Sequence, residues 1–136
     1  MSRNNLDILQ QLRVASADLL WMSESDYPFE VFTYSQKDVP EMNEIVVLEK
    51  MAKQTNTPIK TVEFEQFFQL ATTEKEWHNA SEKETVKQYQ NLVSTLQENL
   101  ENLQVYLIGE TEIDVYILGK LPSGDWAVLS TKMVQT

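Results

Sequence analysis

Apolar residues recur at helical spacing near the start of the chain. Ile8, Leu12, Ala15 and Leu19 fall on one stripe while Asp7, Gln11 and Asp18 lie off it, which predicts an amphipathic helix over about residues 5–20. That stripe cannot continue through Ser23, Glu24, Ser25 and Asp26. Pro28 biases Tyr27 toward extended geometry, so the four polar residues are expected to form a loop into a strand at about residues 29–34. Pro40 marks a second break. Ile45, Leu48 and Ala52 then fit a helix, although residues 45–48 are also a continuous apolar run that a buried strand would accept; a helix is the reading taken.

Pro58 precedes a short strand expected at residues 59–64, followed by a helical turn carrying Phe67, Phe68 and Ala71. Two hydroxyl-to-carboxylate pairs three residues apart, Thr73 with Glu76 and Ser81 with Glu84, read as capping boxes. The second would open a long helix reaching about Leu103, with Val86, Tyr89, Val93, Leu96, Leu100 and Leu103 on its apolar face. All three glycines lie beyond it, at turns and strand ends between segments 105–108, 113–118 and 126–134. Leu121-Pro122-Ser123-Gly124 suits a tight turn. Helices and strands are thus partly segregated. The expected fold is α+β, a single domain over residues 1–136 forming a layered α/β/α sandwich. Its sheet is mostly antiparallel and its last strand runs to the chain terminus.

Composition narrows the function classes. A chain of 136 residues is one domain's worth, and its 42% hydrophobic and 24% charged residues are ordinary for a globular protein. No apolar run approaches the roughly 20 residues of a membrane helix, and the N-terminus lacks a secretory apolar stretch. There is no cysteine, so nothing points to an oxidising compartment and the cytoplasm is expected. Eleven basic against 21 acidic residues give a net charge of −10, which disfavours direct binding to nucleic acid or to an anionic membrane. The same charge favours encounter with a basic partner, or simply confers solubility.

Three glycines are too few for a phosphate-binding loop or a dinucleotide fingerprint, and without cysteine there is no thiol nucleophile. No cofactor is expected. The single histidine, His78, reads as an ordinary surface residue. Glu110, Glu112 and Asp114 alternate as a cation site might require, but Ile113, Val115 and Ile117 supply the opposite face of a half-solvated strand, which is the preferred reading. Asn79-Ala80-Ser81 matches a glycosylation sequon, with Ser81 better read as a helix cap. Three features keep a functional reading. The Ser23 to Asp26 loop concentrates two carboxylates and two hydroxyls, though its residues are also turn formers. Trp77 lies among Glu74, Lys75, Glu76, His78 and Asn79, where it either caps a core edge or anchors a partner. Thr136, after Gln135, offers a carboxylate and a hydroxyl on adjacent carbons, a pair that can coordinate Mg²⁺.

Three blocks also resemble, in order, the nuclease A inhibitor family: LLWMSESDYPFEVF, FEQFFQLATTEKEWHNASEKETVKQYQNLVSTLQENL and VYLIGETEIDVYILGKLPSGDWAVLSTKMVQT. The likeness covers nearly the whole chain apart from a weakly matching stretch at about residues 35–57. It implies a small intracellular protein, not an enzyme, that binds and blocks a sugar-non-specific, metal-dependent DNA/RNA endonuclease. By that resemblance Glu24 in the Ser-Glu-Ser word pairs with a cationic residue of the nuclease's basic cleft, and Thr136 reaches the catalytic, Mg-type metal of the partner. Trp77 belongs to the contact surface, as do Ser23, Ser25, Asp26 and Gln135. The implied assembly is a monomer joining one nuclease in a 1:1 heterodimer. Two positions depart from the family pattern: Gln135 stands where a glutamate is common, and His78 where an aromatic or polar residue is common. The other function classes compatible with the residues are an acidic interaction module or nucleic-acid mimic with a non-nuclease partner, and a small enzyme using paired carboxylates.

Overall fold

The computed structural model describes residues 5–17, 19–22, 26–51, 57–69 and 71–134. Helix α1 (Asn5–Ser16) leads into two short strands, β1 (Leu20–Met22) and β2 (Asp26–Pro28), and then β3 (Glu30–Tyr34). Helix α2 (Glu44–Met51), strand β4 (Ile59–Val62), the short helix α3 (Phe64–Phe68) and the long helix α4 (Ala80–Asn99) follow. The chain then runs through β5 (Glu101–Ile108), β6 (Glu112–Lys120) and β7 (Trp126–Val134). Five strands form one antiparallel sheet in the order β3-β7-β6-β5-β4, and β1 with β2 make a separate two-stranded sheet. The α+β layering expected from the sequence is present, and the terminal block is the predicted meander of hairpins.

The central strands bury both faces, which is why they read as nearly unbroken apolar words. Val105, Ile113, Val115, Ile117, Ala127 and Leu129 pack beneath Ile8, Leu12, Phe68, Leu92 and Leu96 from α1, α3 and α4. On the opposite face Tyr106, Ile108, Leu118, Trp126 and Val128 pack against Val47 of α2 and against Val39 and Met42 of the segment before it. The Trp126 indole N–H donates to the Val39 carbonyl at 2.8 Å and so ties that segment down on the sheet. Gly109 (φ +117) makes the β5–β6 turn: a Cβ there would collide with the Glu112 carbonyl, so only glycine both adopts this backbone and clears it.

Several expectations are corrected. Helix α1 stops at Ser16 rather than near residue 20, and the Ser16 hydroxyl donates to the Leu12 carbonyl at 2.8 Å in its last turn. Leu19 is still buried, but Leu20 already belongs to β1, which pairs with β2; of the loop expected at residues 23–26, Asp26 already belongs to β2 and residues 23–25 lie outside the described residues. The cap of α4 is Asn79, not Ser81. The Asn79 side chain accepts from the Glu82 amide at 2.8 Å, and the Glu82 carboxylate accepts from the Asn79 amide at 3.1 Å, a capping box two residues upstream of the predicted one. Thr73 opens no helix; its hydroxyl donates to the Gln69 carbonyl at 2.6 Å. Helix α4 ends at Asn99, so Leu103 lies in β5 rather than on the helix stripe, and the inward position taken for Val93 belongs to Leu92.

Candidate functional site

The two-stranded sheet β1–β2 is the element closest to the polar loop singled out in the sequence. Its register pairs Leu20 with Pro28, Trp21 with Tyr27 and Met22 with Asp26. Ser23, Glu24 and Ser25 lie outside the described residues, and of Asp26 the backbone position in β2 is described. Both strands of this hairpin are hydrogen-bonded to the body of the protein. The Tyr89 hydroxyl, projecting from α4, donates to the Leu20 carbonyl at 2.6 Å, and the Thr131 hydroxyl of β7 donates to the Tyr27 carbonyl at 3.3 Å.

Trp21 locks the hairpin between these anchors. Its ring stacks on Phe67 with centroids 4.4 Å apart and an interplanar angle of 11°. It meets Phe29, Phe68 and Tyr89 edge-on at 6.4, 5.7 and 5.8 Å. Offset-stacked and T-shaped contacts match the negative face of one ring to the positive edge of another, so such a cluster holds orientation as well as burying area. Tyr89 and Thr131 are buried at 4% and 6% exposure. Thr131 did not stand out in the sequence, and Tyr89 did so only as one position of the long helix's apolar face. The density of aromatics in the LLW and FEQFF words was the available signal, of which only Phe67 and Phe68 were read, as a helical turn.

The final strand reaches the same end of the molecule. Strand β7 pairs with β6 up to Glu112 opposite Val134, and Thr131, three residues before Val134, already touches β2. Gln135 and Thr136 lie outside the described residues, but the last described residue before them, Val134, is held in the sheet next to the β5–β6 turn. Glu112 in that region is exposed, whereas Ile113, Val115 and Ile117 are buried, as the half-solvated strand reading requires. Among the described residues no group of three or more His, Asp or Glu is arranged to hold a metal ion.

Trp77 lies on the turn that leads into α4. It is 77% exposed, so the core-edge reading fails and a large apolar ring is left facing solvent. His78 lies against it, ring centroids 6.0 Å apart at 74°. The His78 Nδ1 accepts from the backbone N–H of Lys75 at 3.1 Å, and the His78 amide donates to the Lys75 carbonyl at 3.1 Å. The histidine therefore closes its own turn from both sides. Behind it a groove of about 460 Å³ opens between Trp21, Phe67, His78, Glu82, Val86 and Tyr89, which places the Trp77 turn next to the root of the hairpin. Lys83 Nζ, in the first turns of α4, lies 3.9 Å from a Glu74 carboxylate oxygen across the same turn.

The hairpin thus meets the end of β7 on one side, and its root shares a groove with the turn that bears the exposed Trp77, on a chain of net charge −10. An exposed tryptophan is a side chain suited to contact with a macromolecular partner. The chain belongs to the family of nuclease A inhibitor-like proteins, whose sequence model matches residues 6–136. The family is one of nuclease inhibitors, so the partner class it implies is a nuclease. No match was found among curated proteins. No helix of the described residues is long and apolar enough to cross a membrane.

Proposed function

We propose that this protein inhibits a sugar-non-specific, metal-dependent DNA/RNA endonuclease by filling its basic cleft, and has no catalytic role of its own. The observation that carries the reading is Trp77, 77% exposed beside the root of a doubly anchored hairpin in a chain of the nuclease A inhibitor-like family. An exposed Trp flanked by polar residues is the side chain most suited to act as an interface anchor. Glu24, carried between the two anchored strands, is the proposed partner of an arginine or lysine in the cleft, with Ser23, Ser25 and Asp26 around it. Thr136, following Gln135, is the proposed ligand of the nuclease's Mg-type metal, through its carboxylate and hydroxyl. Occupying metal and cleft together excludes both the nucleic acid and the attacking water.

The acidic chain approaches the basic cleft as a polyanion does, which supports a 1:1 heterodimer formed from a monomer and leaves direct nucleic-acid or membrane binding disfavoured. The proposed location is the cytoplasm, in keeping with a chain that contains no cysteine. The test is titration of nuclease A with the pure protein while DNA and RNA cleavage are followed. Cleavage of both substrates should cease at about one equivalent, and the complex should weaken by roughly 2–5 kcal/mol in Glu24→Gln, the range for breaking a desolvated charge pair. Deleting Thr136 should quicken dissociation, and the wild-type advantage should shrink when the nuclease is stripped of its divalent ion. A general acidic mimic would tolerate both changes, since one charge among 21 acidic residues hardly alters the field.

A further inference from the structure

His78 is the one histidine of the chain, and its ring nitrogen serves as a hydrogen-bond acceptor. An imidazole nitrogen accepts only while it carries no proton; once protonated, both ring nitrogens are donors. The Lys75 N–H would then face another N–H, and the bond that closes residues 75–78 would become a repulsion. The ring is half-buried and lies steeply inclined to the exposed Trp77 ring, centroids 6.0 Å apart at 74°.

The surroundings give the charged ring somewhere to go. Glu82 of α4 lies on the wall of the same groove, its carboxylate engaged with the Asn79 amide. Strand β1 contributes Trp21 there, α3 contributes Phe67, and α4 further contributes Tyr89, whose hydroxyl is committed to the Leu20 carbonyl. Within the turn itself, Lys75 meets the ring through its backbone, Glu74 lies at 3.9 Å from Lys83, and Glu76 is exposed. An imidazolium would be drawn toward Glu82 and away from the Lys75 N–H, unseating the turn that carries Trp77.

We propose that neutral His78 is a positioning residue that holds Trp77 in its presented orientation, so that the Trp77-dependent part of nuclease binding is lost as the imidazole is protonated. The inference rests on the reading of Trp77 as a contact residue. The sign is fixed by the bond: the contribution is present while Nδ1 is unprotonated and disappears once that nitrogen takes up a proton.

Two measurements separate the device from the reading beneath it. In the unbound protein, the amide resonance of Lys75 is followed by NMR from about pH 8 to about pH 5.5, the span over which imidazoles titrate. It should move with a single titration in the wild type and stay fixed in His78→Asn, whose side-chain oxygen can accept the same hydrogen bond without titrating. A Lys75 amide indifferent to pH in the wild type overturns the proposal whether or not the protein binds nuclease A. In the complex with nuclease A, wild-type affinity should fall about tenfold more than that of His78→Asn over the same range, the worth of one hydrogen bond. Taking the difference removes histidines of the nuclease itself. Trp77→Ala should abolish that difference, because the histidine acts through the tryptophan. His78→Ala should bind weakly at every pH, and His78→Asn should match the wild type at about pH 8. Parallel pH profiles for wild type and His78→Asn would overturn the proposal. A Lys75 amide that titrates alongside a Trp77→Ala variant of unchanged affinity would instead overturn the contact reading of Trp77, and with it the proposed effect on binding.

Discussion

Replacing Trp77 by alanine tests the binding edge most directly, because the structure gives the two competing outcomes very different sizes. The residue is 77% exposed. A tryptophan offers up to about 250 Å², so about 190 Å² is available to a partner and only about 60 Å² is already spent inside the protein. At about 25 cal/mol per Å², complete burial in a complex corresponds to an upper limit near 5 kcal/mol, and the loss to the isolated fold to no more than about 1.5 kcal/mol. Interface anchors of this type deliver about 2–4 kcal/mol on truncation. Trp77→Ala should therefore weaken nuclease binding by about 30-fold or more, each 1.4 kcal/mol being tenfold, while shifting the melting temperature by under about 5 °C. Affinity by calorimetry or surface capture, read beside a thermal melt of the unbound variant, decides the matter. A melting temperature that collapses while affinity per folded molecule is preserved would refute the reasoning, and so would a binding loss below about 0.5 kcal/mol.

The charge of −10 predicts that raising salt from low to physiological strength slows association much more than it hastens dissociation; stopped-flow on-rates indifferent to salt would remove electrostatic steering. Tyr89→Phe keeps the ring against Trp21 but deletes the 2.6 Å bond to the Leu20 carbonyl, so it should cost about 1.5 kcal/mol of stability and speed amide exchange in β1 and β2 more than in β6; uniform exchange would deny the hydroxyl a role as a hairpin anchor. The Tyr116 phenol is pushed above its ordinary 10.0 by burial first, then by the charges of Asp114, Tyr34 and Glu30, and burial followed by Glu44 raises Tyr106. A raised phenol binds its proton more tightly in the folded state, so its contribution is fully present below pH 10.0 and is lost as pH climbs beyond it. Denaturant unfolding of Tyr116→Phe at alkaline pH should lose stability less steeply than the wild type, and identical slopes would contradict the burial argument.

What could be read from the sequence divides along physical lines. The meander β5-β6-β7 was legible because strands buried on both faces leave apolar runs and because glycine at a positive φ, as at Gly109, marks a turn between them. Helix α2 was legible for a similar reason, although its apolar run also suited a strand. The cap of α4 was misplaced because Asn79-x-x-Glu82 and Ser81-x-x-Glu84 overlap with the same spacing, and local chemistry alone ranks a hydroxyl and an amide almost equally. The helix begins at Ala80, after a local turn in which His78 accepts from the Lys75 amide. The β1–β2 hairpin was hidden for the opposite reason. Three-residue strands carry too little pattern to announce themselves, and this one is held by Tyr89, 69 residues away, and by Thr131, 104 residues from its acceptor.

The candidate site follows the same division. Trp77 could be picked out by composition, a large apolar residue among charges, but its exposure needed the fold, since the same word would suit a core edge. His78 was read as ordinary surface because a lone imidazole in a polar stretch gives no sign of a partner, and its acceptor role exists only in the closed turn. Of the groups expected to touch the nuclease, Trp77 sits on a turn that His78 closes, and Glu24 lies outside the described residues, between two strands held by Tyr89 and Thr131. A rigid sheet can hold such groups in place before the partner arrives, which lowers the ordering cost of binding. If the hairpin anchors and the His78 turn reduce that cost, mutations at Tyr89 or His78, neither of them among the proposed contact residues, should show their effect on the nuclease complex through Glu24 and Trp77.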